Sequence, residues 1–313
     1  MANWAANDYD AAEIQVRRSF RHHEMSQLVL YLDTNHLSNL ARGPSAPEAQ
    51  AVIRLLQSGR SRLAVSLMHF VELASPGFAS VADARALLRD VPVAWTLSTA
   101  EVWDSEIAVA CAKARGLTRE PPRVFCSTAL DWSRGPSPAP GNAADFLDAV
   151  IEQPAERESL LRAADEAART TMLKTDAALI KHPDIPLLRF VEDHLAEGRR
   201  RTAGYADGLD AADVVRLSGG YAAVPSLHLF HSTIGQRLRL VAQKSTRNDV
   251  FDDYHAAYAP YAATTALDRG TAARVRSAGL AERHRVTACL GDVPGLIDDV
   301  ESGKAPLVAS AGL

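Results

Sequence analysis

Five consecutive apolar or aromatic residues, Leu28-Val29-Leu30-Tyr31-Leu32, run without helical spacing straight into Asp33-Thr34-Asn35. A run of this kind reads as a strand buried on both faces, the condition of strands inside a parallel sheet. Parallel neighbours need crossover segments, usually helices, so this one stretch constrains the rest of the chain. Asp33 stands where the strand ends, and Thr34 or Asn35 can cap the helix that follows and stops near Gly43-Pro44. A second helix over about 46–57 ends at Gly59, and a short strand over 62–65 leads to Ser66 as the cap of a helix that stops before Pro76-Gly77. This β-α-α-β-α opening predicts an α/β sheet, in which ligands gather at the carboxyl ends of the strands. Asp33 lies at one such end, and Glu72 sits about a turn and a half into the helix leaving another.

With 313 residues the chain can bury a sizeable core, and its 47% apolar and 23% charged composition is that of a soluble globular protein. A balance of 34 basic against 38 acidic residues, net −4, excludes attachment to nucleic acid by bulk charge, so any such contact must be local. Three scattered cysteines (Cys111, Cys126, Cys289) form neither a disulfide framework nor a Cys-based zinc site, and fit a reducing compartment. Residues 1–26 are polar and charged, unlike a signal peptide, and no window suits a membrane span. The expected location is the cytoplasm.

The middle of the chain, 76–245, is rich in Ala, Leu and Arg with helical spacing over 80–90, 99–115, 155–181 and 187–198, and Ser98 with Glu101 forms a capping box. The Pro/Gly/Ser-rich stretch 133–142 reads as a loop. The expected organisation is an N-terminal extension (1–26), an α/β domain built from 27–75 and 246–313, and a mostly helical insertion over 76–245. The α/β pattern returns with a helix opening at Asn248-Asp249, a small strand over 262–267 ending in Asp268-Arg269-Gly270, a helix over 271–279 and a strand near 285–290.

Four acids share one logic: Asp33 and Asp268 after strands, Glu72 on a helix after a strand, Asp249 opening a helix. Carboxylates gathered at one sheet edge repel one another unless a cation sits among them, and hard oxygen donors suit Mg²⁺ or Mn²⁺. Such ions lower the pKa of bound water and neutralise charge on a phosphoryl group. Each position also has a structural reading, as a helix cap, an exposed charge or a turn residue.

Taken together, the segments resemble those of the PIN-domain family of metal-dependent ribonucleases, which includes many bacterial toxins paired with antitoxins. Leu30-Tyr31-Leu32-Asp33-Thr34-Asn35 matches the family's opening strand and Asp-Thr-Asn signature, and Ala64-Val65-Ser66 followed by Glu72-Leu73 is similar to its second motif. Asn248-Asp249-Val250-Phe251-Asp252-Asp253-Tyr254-His255 and Pro260-Tyr261 resemble the third, and Asp268 falls where the fourth acid belongs. Two departures stand out: the hydroxyl of the usual Thr-x-Asp is one residue early, at Thr265, and Ala263 replaces an acid often found after Pro-Tyr.

The resemblance implies a PIN-like parallel sheet flanked by helices, with a mostly helical insertion. It implies Mg²⁺ or Mn²⁺ held by Asp33, Glu72, Asp249 and Asp268, with Asn35 and Ser66 in support and water as the nucleophile. Asp249 fits the family position by its distance from Asp268, and Asp252, on the same helix face, is an alternative or additional ligand; His255 can orient a carboxylate or bind phosphate. An acid-free basic stretch over 229–247 offers Arg237, Arg239, Lys244 and Arg247 to RNA, and Lys244 and Arg247 stand nearest Asp249. The expected activity is endoribonuclease cleavage, with RNA as substrate and an antitoxin or other protein as a further partner. The alternative is a degenerate PIN-like scaffold that binds RNA or a protein through the insertion. An Asp-x-Asp phosphatase is set aside, because Thr34 and Asn35 follow Asp33.

Overall fold

The computed structural model describes residues 28–75, 81–120, 122, 124–126, 142–155, 157–159, 161, 162, 166, 184–201, 208–240 and 246–305. Six strands form one sheet: β1 (Leu28–Leu32), β2 (Ser61–Val65), β3 (Val93–Thr96), β4 (Phe125–Cys126), β5 (Thr264–Ala266) and β6 (Val286–Thr287), in the order β4-β3-β2-β1-β5-β6. All neighbours are parallel except β4, which runs antiparallel to β3. The chain therefore moves outward from β1 through β2 to β3, then returns to the other side of β1 for β5 and β6. The order reverses between β1 and β5, and the crevice at a reversal of this kind is where α/β sheets bind ligands.

Alternation along the strands divides the core. Leu30, Leu32, Leu63, Val65 and Trp95 face one layer, made by helices α1 (Thr34–Arg42), α2 (Pro47–Gln57), α3 (Leu67–Leu73), α4 (Val81–Asp90), α6 (Ala143–Glu152) and α12 (Val293–Glu301). Val29, Tyr31, Ala64 and Ala94 face the other layer, where Val102 of α5 (Thr99–Ala114) packs with Tyr258, Tyr261 and Ala262. Leu30, Tyr31 and Leu32 are fully buried, as a central parallel strand requires.

Outside the sheet, α5 turns a second face, Trp103, Ile107 and Cys111, onto a helical unit. That unit comprises α7 (Asp184–Arg201), α8 (Ala211–Ser218) and α9 (Pro225–Leu240). Helices α10 (Arg247–Ala256) and α11 (Arg269–Ser277) flank β5 in sequence.

The α/β class and the flanking helices are as expected. The boundary of the insertion is not, because β3 and β4 lie within 76–245 yet belong to the sheet, and α4 and α6 pack in its principal core. Val93-Ala94-Trp95-Thr96 is too short to stand out from the helical periodicity around it. The loop over 133–141 and most of the helix expected over 155–181 lie outside the described residues, as does the N-terminal extension. Near 285–290 the strand is only Val286–Thr287, after which the chain turns into a short 3-10 segment, Leu290–Asp292.

Candidate functional site

Asp33 ends β1 and caps α1, with Oδ1 accepting from the His36 backbone N–H at 2.7 Å. Oδ1 also accepts from His36 Nδ1 at 2.8 Å, while Oδ2 accepts from the Asp268 backbone N–H at 2.6 Å. The other ring nitrogen, His36 Nε2, lies 3.3 Å from the Ala288 carbonyl. Both His36 nitrogens thus meet acceptors, and only an imidazolium donates from both. Burial alone would lower the His36 pKa, but the hydrogen bond and charge of Asp33 raise it. Reciprocally, burial would raise Asp33, and His36 outweighs it and lowers the carboxyl.

Glu72 projects from α3. Its Oε2 accepts from Thr34 Oγ1 and from His255 Nε2, the latter at 2.8 Å. His255 is buried on α10; desolvation opposes its charge, yet Glu72 holds its pKa above the ordinary imidazole range. Behind it, His255 Nδ1 lies 2.7 Å from the Tyr31 hydroxyl, which lies 3.2 Å from Ser66 Oγ. Ser66 caps α3, and its backbone N–H donates to His69 Nδ1 at 2.9 Å. His69 Nε2 then donates to the Leu32 carbonyl at 2.6 Å. Accepting at Nδ1 makes His69 neutral, and burial pushes its pKa down to about 3, with the nearby His255 charge adding to the effect.

Asp268 follows β5 and caps α11, accepting from the backbone N–H groups of Gly270 and Thr271. Asp252 completes the group. Burial pushes its carboxyl up to about 7, and the negative charges of Asp268, Asp33 and Glu72 push the same way against His255. No hydrogen bond or ion pair compensates its carboxylate among the described residues.

Asp33 and Asp268 thus meet through a backbone hydrogen bond, Glu72 is held by Thr34 and His255, and Asp252 is near enough to Asp268, Asp33 and Glu72 to feel their charge, whereas Asp249 is engaged in the cap of its own helix. Asp249 Oδ2 accepts from the Thr246 backbone N–H and hydroxyl, each at 2.7 Å, in a capping box at the start of α10. It also stands 3.9 Å from Arg237 Nη1. Its preference for its own helix N-terminus was readable as Thr246-x-x-Asp249. Asn35 is exposed in the first turn of α1, and the support expected from it comes from Thr34 and His36. Ser66 touches no carboxylate and acts through Tyr31 and His69. The Thr265 hydroxyl is buried in β5 without a hydrogen-bond partner among the described residues, so it supplies nothing to Asp268.

Among the basic candidates, Arg237 is buried and paired with Asp253. Lys244 and the side chains of Arg239 and Arg247 lie outside the described residues. His36 and His69 are not among the expected site residues; their signal in the sequence is the spacing of a cap and its third helical residue, shared by Asp33-x-x-His36 and Ser66-x-x-His69.

No family model matches the chain, and no curated protein or solved structure is significantly similar to it.

An oxygen-only donor set with one uncompensated, half-buried carboxylate fits a hard divalent cation such as Mg²⁺ or Mn²⁺ in its chemistry. The spacing is another matter. Among the described residues no three His, Cys, Asp or Glu side chains form a ready-made cage, and Asp33, Glu72 and Asp268 are engaged by histidines, a hydroxyl and helix N–H groups.

Proposed function

We propose that this chain is a PIN-like, Mg²⁺- or Mn²⁺-dependent endoribonuclease that hydrolyses RNA phosphodiester bonds with water as the nucleophile. The observation that carries the reading is the meeting of Asp33 and Asp268 at the point where the strand order reverses, through the Asp268 N–H to Asp33 Oδ2 hydrogen bond, with the like-charged, half-buried Asp252 near them. Such mutual repulsion is costly in a site meant to stay empty of cations.

Asp33, Glu72, Asp252 and Asp268 would hold the ion, with Asp252 in the place first given to Asp249. Bound there, the metal would supply charge neutralisation at a phosphoryl oxygen and a water of lowered pKa. The chain's own part is to aim the carboxylates. His36 donates to Asp33, Thr34 and His255 donate to Glu72, and helix N–H groups hold Asp268. Lys244 and Arg247 remain the proposed RNA contacts, an antitoxin the proposed protein partner and the cytoplasm the proposed location. Among the described residues no helix is long and apolar enough to cross a membrane.

A second reading has an observation of its own. His36 and His255 already supply positive charge to Asp33 and Glu72, as a degenerate scaffold would require. Labelled single-stranded RNA incubated with Mn²⁺ separates the two. Cleavage that Asp33→Asn abolishes supports the nuclease; retention without cleavage by the wild type supports a scaffold that binds RNA through its helical unit.

A further inference from the structure

Between the end of β1 and Glu72 runs a closed chain of buried donors and acceptors. It starts at the carbonyl of Leu32, the residue before Asp33, and passes through His69, Ser66 Oγ, the Tyr31 hydroxyl and His255 to Glu72 Oε2. Tyr31, Ser66, His69 and His255 are each no more than 1% exposed.

The His69 end of the chain has a fixed direction. His69 must accept at Nδ1, since the Ser66 backbone N–H points there, so its single proton goes to Leu32. Ser66 Oγ lies 3.0 Å from the same His69 nitrogen and 3.2 Å from the Tyr31 hydroxyl, and either hydroxyl can donate to the other. The Tyr31 hydroxyl in turn meets His255 Nδ1 at 2.7 Å, and the opposite edge of that ring gives its Nε2 proton to Glu72. The ring of Tyr31 also stacks on Tyr258, with centroids 5.1 Å apart, which fixes the phenol without help from its hydroxyl.

We propose that Tyr31 and His255 are positioning residues that fix the Glu72 carboxylate relative to Asp33 across three chain segments: β1, the α3 cap and α10. The proposal rests on the nuclease reading for its purpose, but on hydrogen bonds alone for its geometry. Buried partners of metal-ligating groups commonly matter for affinity and rate by factors of 10 to 100, because they set the ligand's orientation. Glu72 Oε2 is occupied by Thr34 and His255, and Oε1 carries no hydrogen bond among the described residues. The chain thereby leaves one carboxylate oxygen available.

Tyr31→Phe is the decisive variant, since it keeps the stacked ring and removes one hydroxyl. Titration calorimetry with Mn²⁺ alone and steady-state RNA cleavage are measured well below the melting temperature. The expected result is Mn²⁺ affinity and kcat each lower by about tenfold or more, with KM for RNA unchanged. His255→Gln, whose amide can still donate to Glu72, should retain more of both than His255→Ala. A Tyr31→Phe protein that melts lower yet binds Mn²⁺ and turns over like the wild type would show a purely structural hydroxyl and overturn the proposal. If the wild type binds Mn²⁺ without cutting RNA, and Tyr31→Phe weakens that binding, the positioning role stands while the nuclease reading falls. A wild type that binds no Mn²⁺ overturns both.

Discussion

The backbone N–H of Asp268 donates to Oδ2 of Asp33 at 2.6 Å, joining residues 235 apart in the chain. The first and last acids of the site are thus fixed to each other through main chain rather than through side chains alone. The link exists because β5 lies directly beside β1, with Leu32 in register with Ala266. Everything between them, including the helical unit, must be folded out of the way for the two strand ends to meet.

Asp33→Asn tests that junction. Asparagine can still cap α1 through its amide oxygen, but its amide nitrogen cannot accept from the Asp268 N–H, so the fold should lose about 1–3 kcal/mol. Cleavage of RNA with Mn²⁺ should nevertheless fall by at least about a hundredfold, a loss of roughly 2.7 kcal/mol in the barrier. Retained RNA binding with lost cleavage is the expected pattern, read by gel shift and product analysis on the same samples.

Asp252 and Asp249 should part company. Asp252→Asn removes a buried, mutually repelling charge, so the metal-free protein should melt higher, while the stabilisation by millimolar Mn²⁺ should shrink. Asp249→Ala should cost about 1 kcal/mol by opening the capping box with Thr246, and leave the Mn²⁺ response as it was. Thermal scans with and without Mn²⁺ read both. The reverse pattern would return the third ligand to Asp249.

Glu106 on α5 predicts a pH effect far from the acids. Its carboxylate accepts from the backbone N–H groups of Ser226 and Leu227 at 2.8 and 3.1 Å and from the Tyr261 hydroxyl, yet burial pushes it up to about 7. A carboxyl with a folded pKa above its unfolded value of 4.5 binds more protons when folded, so its contribution to stability falls as pH rises from about 4.5 to 7. The slope from one such group reaches at most about 1.4 kcal/mol per pH unit. Denaturation of Glu106→Gln across this range should show a shallower decline than the wild type; identical slopes would mean that Glu106 stays ionised.

Arg237 should behave as a core residue. With Asp253 wholly buried against it, Arg237→Met leaves an unpaired charge and should destabilise by about 3–5 kcal/mol. Adding Asp253→Leu should recover much of the loss. Urea unfolding of the single and double variants checks this, and unchanged stability in the single variant would refute the pairing.

What the sequence disclosed was local. Leu28–Leu32 was readable with its bounds because a doubly buried strand leaves an unbroken apolar run, and Ser66 and Ser98 announced helix starts by their chemistry, whereas the cap of α1 is Asp33 itself and not Thr34 or Asn35, which lie inside the helix. Asp33, Glu72 and Asp268 were placed by the same logic of strand ends. Tyr31 was hidden in plain view, since nothing distinguishes its hydroxyl from another apolar position until α10 is brought across it. The choice of Asp252 over Asp249 likewise depends on how α10 is rotated against β1, which spacing along one helix face cannot determine.

The two outermost strands, Phe125–Cys126 and Val286–Thr287, have two residues each. Among the described residues, a rim that short offers an incoming strand almost no ladder to copy, with no charged residue or proline in either strand. Edge-to-edge pairing with a second copy would therefore gain only a few ladder hydrogen bonds at either of these strands.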